Sequence, residues 1–471
     1  MLLLIPSGRR KEGGEQPYIR LGIFKLRLPF IHFEWEIPET IQAMVVFVTG
    51  VAATAYLQDL YGLPWATALA IICVHELLYC LQNLLGDPIV GGWITPSIPL
   101  TTAFLLTYTG VARVEALLSL QLTLGILFLI LGVTGIAGKL VAMTPNSVKA
   151  GILIGAGIAS VIGRYGFTTL AGGGLGFYKY PFAFTTGVLV SFFLLFSKGF
   201  KEAKESKGNF FINIMAKSGF VPGLLAAFAV GIIAGEIDAP VFAADSGWFF
   251  NPLGPEGLPW VWKNFSIIGL GIPPMSVLMS AIPMALIAYV IAFGDIVAGT
   301  EFLRDADRVR QDEIIEVDAN RTNVMCGLRN VLQSLFFPTV TMSGPLWSAM
   351  CLSVAERYKT GKENMYSIWG GASTFNIVKF LCCLVIPLTA LIRPVLPLSM
   401  ALTLMIQAFG CFYVAFNMVS DNEERGVAGV VGSILAVAGP AAGLAAGIVI
   451  AIVVQFLAAK RKKKEVEGAA A

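Results

Sequence analysis

The chain has 471 residues, is 56% hydrophobic and 13% charged, and carries a formal net charge of +3; its mean hydropathy is +0.76. A soluble domain has about twice that charged fraction, so this chain cannot clothe itself in polar surface and the bilayer is its expected solvent. So small a net charge gives no basis for a nucleic-acid partner, and the seven cysteines, none in a C-x-x-C pair, read as buried thiols rather than a disulfide or zinc framework.

In chain order, residues 1–40 form an N-terminal segment. "MLLLIPSGRRK" is too short an apolar run for a signal peptide, with its charges on the wrong side. "PYIRLGIFKLRLPFIHFEW" (Pro17 to Trp35) mixes Arg, Lys and aromatics and is expected at the membrane interface. A membrane span needs roughly 20 apolar residues, or fewer if it is broken. The first half, 41–235, holds seven segments: 41–58, 63–85, 94–108, 113–142, 146–162, 181–198 and 218–235. A polar, Pro/Gly-rich loop, 236–274, separates them from seven more in 275–459: 275–303, 319–337, 341–355, 364–392, 396–419, 426–439 and 440–459. A basic tail, 460–471, follows.

Basic residues orient the spans. They cluster in the N-terminal segment (Arg9, Arg10, Lys11, Arg20, Lys25, Arg27), the 6–7 loop (Lys198, Lys201, Lys204, Lys207), the 8–9 loop (Arg304, Arg308, Arg310), the 10–11 loop (Arg357, Lys359, Lys362) and the tail (Lys460 to Lys464). Fourteen spans put all five on one side, so both termini are expected in the cytoplasm and the protein in the cell's inner membrane. The 236–274 loop, with Glu236, Asp238, Asp245 and Glu256 against Lys263, falls outside.

An odd number of spans per half makes the second half run inverted. "TPSIPLTTA" (Thr95 to Ala103) and "TMSGPLWSA" (Thr341 to Ala349) share T-x-S-x-P-L-x-x-A, and each follows an "L-x-N-x-L" (Leu81 to Leu85, Leu328 to Leu332). They occupy the same station, segments 3 and 10, which are too short to cross as helices. Matching short, Pro/Gly-interrupted segments in two inverted halves point to a transporter's midplane site. "GGWITPS" and "FFPTVTMS" read as short strands, with each Ser at the start of a half-helix and Pro two residues on. Two helix N-termini would then face each other, each with unpaired N–H groups and a positive dipole end.

Charge inside a span costs several kcal/mol and needs a reason. Segment 8 holds Asp295 in "AYVIAFGDIVAGTEF", with Gly299 on its helical face. Asp295 is the proton-coupling candidate, with an ion pair to Lys379 or Arg329 as the structural alternative. Segment 2 holds His75 and Glu76, about 100° apart on a helix and so unable to face one site together. Segment 9 holds Arg329 and Asn330, and segment 11 holds Lys379. These five read as polar partners. The candidate substrate-binding residues are Thr95, Ser97, Ile98, Asp295, Gly299, Ser343, Gly344 and Trp347. Segments 6, 7 and 12–14 carry no interior charge and are rich in Gly and Ala, as in "GVVGSILAVAGPAAGLAAG", which suits close helix packing. "GAGIAS" (Gly155 to Ser160) imitates half a dinucleotide fingerprint but lies inside an apolar segment, and "AGGGLGF" (Ala171 to Phe177) reads as a turn.

Between segments 8 and 10 the chain resembles the sulfate-permease-type (SulP) anion transporters. "FGDIVAGTEF" followed by "DANRTNVMCGLRNVLQSLFFPTVTMSG" is similar to that family's acid in an E-S-I-A-like stretch before D-x-N-x-E-L…G-x-x-N…F-x-x-x-P-x-T-G-S. Asp295 matches the acid; Asp318, Asn320, Gly327, Asn330, Pro338 and Ser343-Gly344 match the rest. "AYLQDLYGLP" (Ala55 to Pro64) and "MTPNSVKAGILIGAGI" resemble further family stretches, and "TPNSVKAG" is as close to the related nucleobase–ascorbate transporters. The departures are Asp for Glu, Pro345-Leu346-Trp347-Ser348 where the family commonly has an Arg, and an end soon after Lys464, so that no regulatory STAS domain is expected.

The resemblance implies an all-α polytopic membrane protein. It has fourteen segments in two inverted seven-segment repeats, with short strands before broken half-helices 3 and 10. Segments 1–4 and 8–11 form a core, and segments 5–7 and 12–14 a gate. The expected function is a secondary transporter of a small anionic or weakly acidic solute, coupled to H+ or Na+, working by elevator-like alternating access. The alternative is a uracil- or xanthine-type permease, with the segment 8 acid bonding ring N–H groups and Trp347 stacking. The partners are the solute and the lipid bilayer, and a homodimer through the gate is one arrangement such a chain can adopt. No cofactor or metal is expected. An enzyme would need a nucleophile, base and metal constellation that two histidines and unspaced cysteines do not supply. A non-transporting scaffold would gain nothing from broken helices at mid-membrane.

Overall fold

The computed structural model describes residues 8–137, 139, 144–167, 174–207, 221–240 and 247–469. The sequence readings on Met1 to Ser7, on Ala171 to Gly173 and on Asp245 lie outside the described residues.

Helices make up most of the described residues and lie in the apolar segments read from the sequence. The first is broken into α1 (Ile37–Val51) and α2 (Ala53–Tyr61), and α2 ends at Gly62, whose φ of 64° supplies the left-handed turn into α3 (Trp65–Leu84). After the strand β3 (Gly92–Trp93) and a 3-10 turn over Thr95–Ser97 come α4 (Ile98–Leu106), α5 (Gly110–Thr134), α6 (Asn146–Ile162), α7 (Pro181–Phe196), α8 (Lys198–Lys207) and α9 (Val221–Ile233). Two short helices, α10 (Leu258–Asn264) and α11 (Ile267–Leu270), lie in the long loop. Then follow α12 (Met275–Val309), α13 (Ala319–Phe336), the strand β4 (Ser343–Gly344), α14 (Ser348–Lys359), α15 (Ile368–Cys383), α16 (Ile386–Ile392), α17 (Leu396–Met418), α18 (Asn422–Ala438) and α19 (Pro440–Ala469). Among the described residues, five spans are long and apolar enough to cross a membrane: 37–61, α3, α5, α12 and 386–418. The 35-residue α12 runs six residues past the boundary expected from hydropathy, because its C-terminal turns are polar helix former rather than apolar span.

Large apolar side chains remain exposed along the helices, among them Ile41 at 61%, Val133 at 78% and Ile233 at 85%. A contiguous apolar exterior on this scale belongs in lipid, and the chain is a multi-pass membrane protein.

The helices pack as two sets. In one, α5 lies along α12 and α13, α15 along α1 and α3, and α14 along α12; in the other, α6 lies along α17 and α18, and α7 along α9 and α17. Small residues set the close approaches in both. A Cβ on Gly125 of α5 would stand 2.8 Å from the Val331 backbone nitrogen of α13. One on Gly155 of α6 would stand 3.0 Å from the Gly432 carbonyl of α18. The "GAGIAS" glycines are therefore packing surface.

The N-terminal segment does more than lie at the interface. Strands β1 (Ile19–Leu21) and β2 (Phe24–Leu26) form a hairpin in register Ile19↔Leu26. The Lys25 and Arg27 amides donate to the Leu85 and Leu84 carbonyls at the end of α3, at 3.0 and 2.8 Å. The Arg27 guanidinium lies over the Trp369 ring of α15 at 3.9 Å. Arg10 pairs with Asp312 and Glu313, Lys25 with Glu15 and Glu316, and Arg357 with Glu36 and Glu39. The segment thus ties the ends of α3, α12, α14 and α15 together.

Candidate functional site

Strands β3 and β4, one from each half of the chain, pair antiparallel with Gly92 opposite Gly344 and Trp93 opposite Ser343. The pairing extends beyond them: Ile94 N–H donates to the Met342 carbonyl at 3.2 Å, and Trp347 N–H to the Val90 carbonyl at 2.7 Å. The α13 side chains hold β4 from behind. Asn330 Nδ2 donates to the Ser343 carbonyl at 2.7 Å while its Oδ1 accepts from the Ser343 N–H at 3.0 Å. Arg329 donates to the Gly344 carbonyl at 2.7 Å and lies over the Tyr79 ring at 4.8 Å.

This pairing decides where the half-helices begin. In the first half, the 3-10 turn opens at Thr95 and α4 at Ile98, with Pro99 in its first turn, as the sequence suggests. In the second half the helix does not open at Ser343. Backbone committed to strand pairing as far as Trp347 cannot also wind, so α14 begins at Ser348 with Trp347 as its N-cap. The repeated T-x-S-x-P-L motif therefore marks two different stages of the same feature.

A cavity of about 280 Å³ lies at the two helix starts. Thr95 and Pro96 line it from one start, and Trp347, Ser348 and Ala349 from the other. Asp295 of α12, Glu76 and Tyr79 of α3, and Lys379 of α15 contribute its charged and aromatic wall. Thr403 and Gln407 of α17, Leu195 of α7 and Val221 of α9 close it from the second set of helices, so the cavity lies between the two sets. The half-helix N-termini and Lys379 contribute positive potential, and Asp295 and Glu76 negative charge.

Of the residues singled out from the sequence, Thr95, Asp295, Trp347, Glu76 and Lys379 line this cavity. The others stand behind it. Ser97 and Ile98 are fully buried, and the Ser97 hydroxyl donates back to the Ile94 carbonyl at 2.7 Å rather than capping α4. Ser343 and Gly344 form β4. The space left by Gly299 is taken by Ile89 and Leu346, whose methyl carbons would stand 3.1 to 3.3 Å from an added Cβ. His75 contacts Gln333 and stacks edge-on against Tyr79. Neither structural alternative for Asp295 holds: Lys379 Nζ pairs with Glu76 Oε2 at 2.7 Å, and Arg329 is spent on β4. Asp295 has no hydrogen-bond or ion-pair partner among the described residues.

Sequence reasoning missed Thr403 and Gln407, which share one face of a mostly apolar helix at i, i+4 spacing; that polar pair is the signal that finds them. It also missed Tyr79, whose ring is approached by both Arg329 and Lys379, and Gly50, which makes room for Glu76.

No family model matches the chain, and no curated protein matches it in sequence. Its fold is that of the transmembrane domain of a cyanobacterium bicarbonate transporter, BicA, at TM-score 0.50 and 13% identity over 87% of this chain and 96% of that one. SLC26A9 aligns at TM-score 0.49 and 14% identity over 89% of this chain and 65% of its own. The murine Slc26a9 anion transporter in the inward-facing state aligns at TM-score 0.48 and 14% identity, covering 90% and 69%.

Proposed function

We propose that the chain is a secondary transporter that moves a small anionic or weakly acidic solute across the cell's inner membrane, with both termini in the cytoplasm. One observation carries this reading. The cavity sits where two half-helix N-termini, Lys379 and Asp295 converge, and helices of both sets line it. Backbone N–H groups and dipole ends favour an anion there, and irregular backbone at that depth is stable in lipid only where it lines a protein cavity. The set containing α1 to α5 and α12 to α15 acts as the core carrying the site, and the set containing α6, α7, α9, α17 and α18 as the gate. Sliding of core against gate exposes the cavity alternately to the two sides. Asp295, without a partner, is the group that carries H+ or holds Na+ alongside the solute. BicA, whose fold the chain shares, is a bicarbonate transporter, so bicarbonate leads the panel of candidate solutes, followed by sulfate and dicarboxylates.

A second reading has its own support. Trp93 and Trp347 line the same cavity as the Asp295 and Glu76 carboxylates, the combination that stacks a flat ring and accepts its N–H bonds. Uptake of labelled bicarbonate, sulfate and dicarboxylates against uracil and xanthine, in vesicles containing the purified chain, separates the two.

A further inference from the structure

Lys379 is the single cationic side chain among the described residues that line the cavity, and it is already engaged. Its ammonium lies 2.7 Å from Glu76 Oε2, with side-chain exposures of 2% and 0%. It also stands over the rings of Trp347 and Tyr79, at 4.8 and 4.9 Å from their centroids. Those two rings form a seat that holds a cation by its π faces without using its hydrogen-bond donors.

The carboxylate is held quite differently. Apart from the lysine, neither oxygen of Glu76 has a hydrogen-bond donor among the described residues. Its place exists because residue 50 of α1 is glycine: a Cβ there would lie 2.5 Å from Glu76 Oε1. A buried ion pair repays its desolvation only when the remaining lone pairs are satisfied as well. The remaining lone pairs of Glu76 are not satisfied in this way, and both members of the pair line the solute cavity.

We infer that Lys379 is the residue that recognises the anionic group of the solute, and that Glu76 is its resident counter-ion, displaced as the solute binds. This rests on the transport reading above. Glu76 keeps the lysine neutralised while the cavity is empty and sets a threshold that the solute's anionic group must exceed. It therefore selects compact oxyanions, which present two oxygens to one ammonium, over weakly coordinating anions. A ligand that must wait for a minor competent state binds more weakly by the fraction in that state. If the pair is closed about nine-tenths of the time, removing the carboxylate tightens binding about tenfold.

The test is calorimetric titration of the purified full-length chain with bicarbonate, sulfate and a dicarboxylate. It compares the wild type with Glu76→Gln and with the charge-free double variant Glu76→Gln/Lys379→Met, which leaves no unpaired buried charge to prevent folding. The expected result is a Kd about tenfold lower in Glu76→Gln and no detectable binding in the double variant, with a thermal midpoint near that of the wild type. Equal or weaker binding by Glu76→Gln overturns the displacement assignment, as does unchanged binding by the double variant, and both leave the transport reading standing. No binding of any of the three to the wild type overturns both.

Discussion

Gly92 and Gly344 face each other across an antiparallel pair that joins the two halves of the chain between the two half-helices. A Cβ on Gly344 would come within 2.8 Å of the Ile94 backbone nitrogen, and one on Gly92 within 2.7 Å of the Leu346 carbonyl. Backbone cannot give way as a side-chain tip can. Gly344→Ala is therefore expected to destabilise the protein by about 1–3 kcal/mol and to lower its thermal midpoint. Gly299→Ala, whose Cβ would have methyl carbons of Ile89 and Leu346 as its nearest neighbours rather than backbone, is expected to cost under about 1 kcal/mol. Thermal unfolding of both variants in one detergent checks the contrast; equal midpoints would contradict it.

Asn330 satisfies both backbone groups of Ser343. Asn330→Ala strands a buried N–H and a buried C=O, each costing about 1–3 kcal/mol. Asn330→Asp replaces the donor at the Ser343 carbonyl by a second acceptor and is expected to be at least as damaging. Wild-type stability in Asn330→Asp would show that the bracket does not hold β4.

Asp295 and coupling can be separated by one substitution. Asp295→Asn keeps the shape of the side chain and removes its charge. The variant is expected to fold, to bind solute and to exchange it across the membrane, yet to lose accumulation driven by a pH gradient. Unchanged uphill uptake under that gradient would remove Asp295 from the coupling step and leave Na+ coupling or simple exchange.

The N-terminal tie has a pH signature. Hydrogen bonds from Arg310, and the charge and hydrogen bond of Arg10, hold the Asp312 carboxyl down at about 2. An unfolded aspartate titrates near about 3.9. A depressed folded value means stability that is fully present above about pH 4 and lost as pH falls toward 2. The wild-type thermal midpoint should exceed that of Asp312→Asn at neutral pH, with the difference closing between about pH 4 and 2. A difference that stays constant over that window would contradict the assignment.

Much of this architecture was legible in the sequence, because a bilayer forces long apolar runs and makes each buried charge conspicuous. Asp295, Glu76 and Lys379 stood out on those grounds, Thr95 and Trp347 through the repeated T-x-S-x-P-L motif, and the five line one cavity. Pairing was less legible than presence. A cation and an acid in separate helices carry no record of which meets which, so Lys379 belongs to Glu76 rather than to Asp295. The α14 start was misread for a similar reason. Ser343 resembles an N-cap locally, but its backbone is claimed by β3 and by Asn330, both remote in sequence. Gln407 escaped because a neutral amide in an apolar helix is a weaker signal than a charge, though its partner Thr403 one turn earlier marks the face.

Passage of a small anion through the cavity between the two half-helices is tested most directly by solute counterflow. Vesicles containing the purified chain are loaded with unlabelled bicarbonate, sulfate, a dicarboxylate, uracil or xanthine, then diluted into a trace of the same labelled compound. Transient accumulation of label is expected for at least one of the anions, abolished by Thr95→Trp, which fills the cavity at the first helix start. Counterflow of uracil or xanthine alone, or of none of the five, would contradict anion transport.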